Sequence, residues 1–403
     1  MKQWLLIFIL VTPSYTWAAD QDPQPTTRTS LLTEEREKKA ASTAPPQRTV
    51  VERGLSWYDN QYLLANIVAG WKGIHFTSGR FPAGAGTGVG VGFTRGERVQ
   101  FDAAAAYTTR GYRRISAAVN MKDIGDKRID FQLRAQHYEL PEEDFFGFGS
   151  ASREQDRTSY LLEGAELGSS LRVRPAKYIE ITGGLSYISN RTGSGKDARF
   201  QSVEAMFGRN TLTGFGNAPD YVRADIGAAF DWRDNPLHPH GGGRYAVRLA
   251  DYRDQNRNAY SFHRVDVDVH QYVPLPDRYR TLALRATGTF TDAVSGHEVP
   301  FFEQPTLGGS QTLRGFREFR FRDRNSLAMT AEYRWEAWWA LDGALFVDAG
   351  TVAPQWQGLR LKDLDVTYGF GFRVHSNSAF VARLDFAFSK EGFIPLLRFD
   401  HVF

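Results

Sequence analysis

Two groups of residues in this chain are of types that could do chemistry, and spacing decides what each can do. Ser261, His263, Asp266 and His270 offer a nucleophile, bases and an acid along one short stretch. A nucleophile and its base must converge within hydrogen-bond reach. Residues 262–272 alternate, with Val265, Val267 and Val269 apolar against Arg264, Asp266, Asp268 and His270. At that period His263 and Asp266 point to opposite faces of a strand, so no catalytic site is expected. His238 and His240 flank Pro239 in a turn near Asp234 and could hold a metal weakly. Two histidines in a turn are more often solvated, so neither a metal nor another cofactor is expected. The chain has no cysteine, which excludes disulfides, thiol catalysis and Cys-ligated zinc or iron–sulfur centres.

The elements carrying these residues read as strands. Leu327, Met329, Ala331, Tyr333 and Trp335 share one face of 326–337, opposite Ser326, Thr330, Glu332, Arg334 and Glu336. Residues 221–232, 281–290 and 379–388 repeat the pattern, the last with Phe380, Leu384, Phe386 and Phe388 against Arg383 and Asp385. Hydrophobic residues make up 42% and mean hydropathy is −0.42. No stretch reaches the ~20 apolar residues of a spanning helix, which excludes a helical membrane bundle. Aromatic content of 14% and 38 glycines suit strands and tight turns. A formal charge of +3 is too balanced to suggest nucleic acid as a partner.

A soluble sandwich also alternates, with its polar face outward. Here the segments are long and their polar faces carry charges of both signs, which suits a wet lumen. The fold expected is all-β: a transmembrane antiparallel β-barrel of about 16 strands, apolar faces outward. The segments run from 84–94 through 199–207 to 394–403. An even count puts both chain ends in the periplasm. Pro274-Leu275-Pro276-Asp277-Arg278 and His375-Ser376-Asn377-Ser378 then become short periplasmic turns. The largest gap, 292–324, faces outward, and a loop of that length is usually functional. Trp335, Trp338 and Trp339 read as part of an interfacial aromatic belt.

Ahead of the barrel, Lys2, the apolar run Trp4 to Val11 and the small pair Ala18-Ala19 read as a secretory signal peptide over 1–19. Residues 20–50, rich in Pro, Thr and charge, read as a disordered periplasmic tether. Residues 51–80 form a segment at the periplasmic rim, with the apolar Tyr62 to Trp71 as helix or extra strand. Residues 81–403 form the barrel.

Leu307-Gly308-Gly309-Ser310-Gln311-Thr312-Leu313-Arg314-Gly315-Phe316 lies in the 292–324 loop, and Phe346-Val347-Asp348-Ala349-Gly350 ends a strand beyond it. Asp231 to Gly242 supplies a Pro- and Gly-rich turn, Phe145-Phe146-Gly147-Phe148-Gly149 another, and the chain closes on Phe403. Together these residues resemble the bacterial surface antigen family, the barrel domain of BamA/TamA-like outer-membrane proteins, over roughly 80–403. The resemblance implies that the loop folds back into the lumen and that Arg314, with Gly315 and Phe316, reaches Glu332 and Asp348. An arginine entering a confined lumen needs such partners, because an unpaired buried charge is costly. The same resemblance implies an outer-membrane barrel that assists insertion, assembly or translocation of other macromolecules. Its partners would be outer-membrane lipid, a client outer-membrane protein or lipid, and an accessory periplasmic protein or a second copy. Residues 20–80 are too few for the family's periplasmic POTRA modules, so a barrel-only member is expected. A solute pore or purely structural barrel is the alternative.

The seam is a further candidate. Gly84, Gly86, Gly88, Gly90 and Gly92 fall on one face of the expected first strand, which leaves its register weakly specified. The last strand carries Pro395, which cannot donate to a ladder, and ends at Phe403. Their junction is expected to be the weakest pairing of the barrel, able to open laterally; the alternative is that the glycines only make room for the inserted loop or the tether.

Overall fold

In a computed structural model, the described residues are 73–398 apart from 78, 80, 83, 277–278, 339 and 376–379. The expected leader, the tether, Tyr62 to Trp71, Trp339 and Phe403 lie outside them. Sixteen strands form one antiparallel sheet in chain order. They are β1 (Ile74–Thr77), β2 (Gly88–Arg95), β3 (Val99–Thr108), β4 (Arg113–Asp123), β5 (Ile129–Phe145), β6 (Thr158–Ala176), β7 (Ile179–Ser194) and β8 (Asp220–Asp231). They continue as β9 (Gly242–Asp254), β10 (Phe262–Pro274), β11 (Arg280–Ala293), β12 (Asn325–Trp338), β13 (Leu341–Ala353), β14 (Asp365–His375), β15 (Phe380–Ser389) and β16 (Gly392–Arg398).

The faces are inverted relative to a soluble sheet. On β13, Leu345 and Val347 are 52% and 48% exposed, while Asp342 and Asp348 are 4% and 0% exposed. On β14, Val366, Tyr368, Phe370 and Phe372 are exposed and Asp365, Thr367 and Arg373 are buried. Apolar side chains left uncovered beside buried charges make sense only where the outer solvent is hydrocarbon. The fold is a transmembrane antiparallel β-barrel. Its connections divide by length: 96–98, 177–178 and 275–279 are short and share one end, while 195–219, 294–324 and 354–364 crowd the other. We call these the turn end and the loop end.

Two strand expectations change. Residues 199–207 are not a strand; Val203–Phe207 is one turn of helix. Val203 packs among Phe145, Tyr160, Leu212 and Phe301 in an apolar plug at the loop end, with Phe207 against it. Val203 and Phe207 are four apart, the spacing of one helix face, and a window that short reads equally well as alternation. The missing strand is β1, inside the segment expected at the rim, where Ile74 and Phe76 face outward. It pairs with β2, His75 opposite Gly92 and Thr77 opposite Gly90. Among the described residues the count of sixteen therefore stands with different members, and the glycine-rich strand is the second, not the first.

Val347 lies midway along β13 on the lipid side. Val347→Arg is expected to cost about 2–4 kcal/mol, the depth-dependent cost of a cation at the bilayer midplane. Guanidinium unfolding in lipid vesicles measures it, and a loss below about 0.5 kcal/mol would contradict the outward assignment.

Candidate functional site

The loop between β11 and β12 is tied at its neck by a short ladder, Thr306 opposite Arg322 and Leu307 opposite Phe321. The segment between these rungs turns at Gly308 and Gly309, with φ of 119° and 77°. A side chain at either would be strained, and a Cβ on Gly309 would meet the Glu318 carboxylate. Gly309 N–H donates to Phe316 O at 2.9 Å, closing the tip. Leu313 and Phe316 then bury with Leu307, Phe321, Ala328 and Val352, so the loop carries its own small apolar core. Gly315 lies so close to β15 that a Cβ would stand 2.8 Å from Phe388 O. Ser389 Oγ donates to Gly315 O at 2.7 Å. With its neighbours held on both sides, Arg314 has one direction left, into the lumen.

There its guanidinium is completely buried. Nε and Nη2 donate to the two oxygens of Asp348 at 2.9 and 2.7 Å, and Nη1 donates to Glu332 Oε2 at 2.8 Å. The ring of Phe346 lies beneath it, 3.4 Å from Cζ to the centroid. Planarity suits this seat: two edges of the fork meet carboxylates while a face covers the ring. Burial alone would favour the neutral form. Asp348, Glu332 and Asp385 outweigh it and hold the pKa of Arg314 above its ordinary value.

The acids are themselves over-determined. Asp348 also accepts from Thr330 Oγ1 and Thr367 Oγ1, each at 3.0 Å. Glu332 accepts from Arg334 Nε at 2.8 Å and from Arg373 Nη2 at 2.8 Å. Arg373 Nη1 donates to Asp385 Oδ1 at 2.5 Å, and Arg383 Nη1 donates to Asp385 Oδ2 at 2.7 Å. Arg383 Nη2 returns to the loop by donating to Ser310 O at 2.9 Å. Four guanidiniums (Arg314, Arg334, Arg373, Arg383) thus share three carboxylates (Glu332, Asp348, Asp385) across β12 to β15. A buried ionic cluster is tolerable when nearly every lone pair and donor is used.

Arg314, Glu332 and Asp348, named from sequence, come together here. Arg383, Asp385 and Arg334 were visible only as members of alternating polar faces, and Arg373 was not singled out. Gly369 and Gly371 were missed altogether. A Cβ on Gly369 would strike the Phe346 ring, and one on Gly371 would meet Arg373 Nη1 at 2.5 Å. Glycine on the lumen face of β14 is the signal that something bulky approaches.

Other candidates scatter. His263 lies 2.9 Å from Asp251, and His270 lies 2.8 Å from Asp268, so the Ser261, His263, Asp266 and His270 set does not converge. His238 is not solvated: it is buried against Asp342, whereas Asp234 accepts from the backbone N–H of His240. Of the seam glycines, Gly88, Gly90 and Gly92 lie in β2, between β1 and β3, while Gly84 and Gly86 lie in the β1–β2 connection. Pro395 sits in β16 opposite Phe386. Gly84, Gly86, Gly88 and Pro395–Arg398 nevertheless line one cavity of about 1120 Å³, with Ser310, Gln311 and Glu318 of the loop on its wall.

Glu332 meets three guanidiniums, so losing its charge leaves a net surplus of two positive charges among seven groups. Glu332→Gln is expected to destabilise by about 3–5 kcal/mol. Arg314→Lys, which keeps the charge but loses the fork, should cost about 1–3 kcal/mol. Chemical unfolding in vesicles orders the two, and equal, sub-kcal/mol effects would show that the cluster contributes little.

The model of the Omp85 superfamily domain matches residues 83–393. In structure the chain is similar to BamA from Haemophilus ducreyi lacking POTRA domains 1–3, at TM-score 0.59 and 12% identity, over 79% of this chain and 69% of that one. It is also similar to CdiB from Escherichia coli, at TM-score 0.52 and 12% identity, over 82% of this chain and 61% of that one. At such identity these two likenesses speak for the fold, while the domain match spans most of the sequence, including the lumen-seated loop and the strands that hold it. The chain belongs to the Omp85 superfamily.

Proposed function

We propose that this protein is a bacterial outer-membrane barrel that assists the insertion, assembly or translocation of other macromolecules. The observation that carries the reading is the Leu313-Arg314-Gly315-Phe316 tip seated on Glu332 and Asp348 within a barrel of this superfamily. The turn end faces the periplasm and the loop end the cell exterior. Arg314, Gly315 and Phe316 lock the loop in the lumen, so the barrel is plugged from outside while its wall stays free to act. The wall's weak place is the junction of β16 with the β1–β2 region. On one side β16 carries a proline, and on the other stands the four-residue β1, whose neighbour β2 carries glycines that fix register poorly. Clients would be outer-membrane proteins or lipids, and a periplasmic partner or a second copy would supply a receiving surface.

Arg314→Ala is expected to release the loop: external protease should cut within 294–324 in whole cells, and the unboiled protein should lose its compact gel mobility. Unchanged resistance and mobility would reject the lock. Because the chain has no cysteine, Gly88→Cys with Leu396→Cys places a unique pair of thiols on the wall of that cavity, to be joined by a bifunctional thiol reagent. Crosslinking should abolish activity if the junction opens; full activity would reject opening. Depletion followed by an outer-membrane proteome tests the function itself. Loss of specific proteins supports assembly, whereas an unchanged proteome with altered solute permeability supports a pore.

A further inference from the structure

At the turn end, next to Arg373 of the Arg314 cluster, which lies opposite Asp342 across β13 and β14, three elements bring their polar side chains to one point. The β8–β9 turn contributes His238, the start of β13 contributes Asp342, and the end of β14 contributes His375. His238 Nε2 lies 3.1 Å from Asp342 Oδ2, and His375 Nε2 lies 3.2 Å from Asp342 Oδ1. The donor atoms all fall within 4.8 Å of one another. Their side chains are nearly closed to solvent, at 9%, 6% and 9% exposure. The imidazoles of His238 and His375 stand 4.4 Å apart, and that of His240 lies 4.4 Å from His238.

We propose that His238, Asp342 and His375 form a binding site for a zinc-class divalent cation, with His240 or water as the fourth ligand. Tetrahedral zinc bound to nitrogen and oxygen at roughly 2.0–2.1 Å needs ligand atoms about 3.3 Å apart, and each imidazole nitrogen already stands at about that spacing from one oxygen of Asp342, His238 from Oδ2 and His375 from Oδ1. Two imidazoles and a carboxylate suit zinc, nickel or cupric ion, and not calcium or magnesium, which take oxygen. Local structure presents the ligands. Pro236 and Pro239 stiffen the turn, and Asp234 accepts from the backbone N–H groups of Asn235 and His240, at 2.8 and 3.0 Å. These contacts aim the turn back across the mouth of the lumen. A bound cation would then staple that turn to β13 and β14, two strands that also carry Asp348 and Arg373. The chemistry is distinct from the loop lock and does not rest on the proposed function.

The test uses untagged full-length protein in detergent, freed of metal with chelator and titrated with zinc alone. One zinc per chain is expected, with X-ray absorption showing two imidazole ligands per zinc, or three if His240 is the fourth ligand, and cobalt substitution giving tetrahedral d–d bands. His238→Ala and His375→Ala should each weaken binding beyond the roughly 10–100-fold that loss of a supporting contact costs, with unboiled gel mobility reporting that each still folds. Zinc should also raise the unfolding temperature of the wild type and not of the double variant, since a ligand bound only to the native state stabilises it. Absence of stoichiometric zinc, an absorption spectrum without imidazole, or unchanged affinity in His238→Ala would overturn the site and leave two imidazoles hydrogen-bonded to one carboxylate. The absorption measurement stands even if a variant misfolds, because it needs only the native chain.

Discussion

A guanidinium with no exposed surface must be matched charge for charge, and that requirement organises this barrel. Arg314 can occupy the lumen only because Asp348 and Glu332 meet its fork, and they can lie there only because Arg373, Arg334 and two threonines satisfy what remains of them. Each charge is the condition for the next. Removing one member leaves its partners buried and uncompensated, a larger penalty than the interaction itself contributes. The cluster links the loop to four consecutive strands, so the loop's position and the alignment of β12 to β15 are one constraint.

The lipid makes this possible. In a soluble domain the apolar faces would claim the interior and the charges would stay in water, where pairing is worth little. In a barrel the apolar faces are consumed by the bilayer, and the interior is left to polar side chains. What fills it is then decided by steric access. Gly315 lets the loop backbone close on β15, and Gly369 and Gly371 open the β14 wall for Phe346 and Arg373. The wall at β12 to β15 is dense and ionic. The β1–β2 and β16 side has cavities instead.

Where reading by residue type succeeded, the signal was repeated many times. Alternation over more than ten residues in most strands left little choice of period. Where it failed, the signal was short. Four residues of β1 are too few to stand out beside a glycine-rich neighbour, and Val203–Phe207 fits a strand or a turn of helix equally well. His238 was misjudged for a different reason. Its solvation depends on Asp342 and His375, each more than a hundred positions away, and no local pattern announces that meeting.

By itself the amino-acid order determined the period of the strands, hence which side chains face lipid and which the lumen, because that property is carried by each residue and its next neighbours but one. It also determined that the long loop bears an arginine needing acidic company. Only the tertiary structure decided which strands close the count, which four arginines share three acids, and that two histidines converge on one aspartate. Those outcomes depend on register between distant strands and on the space that glycine leaves across the lumen, quantities that exist only once the chain has folded.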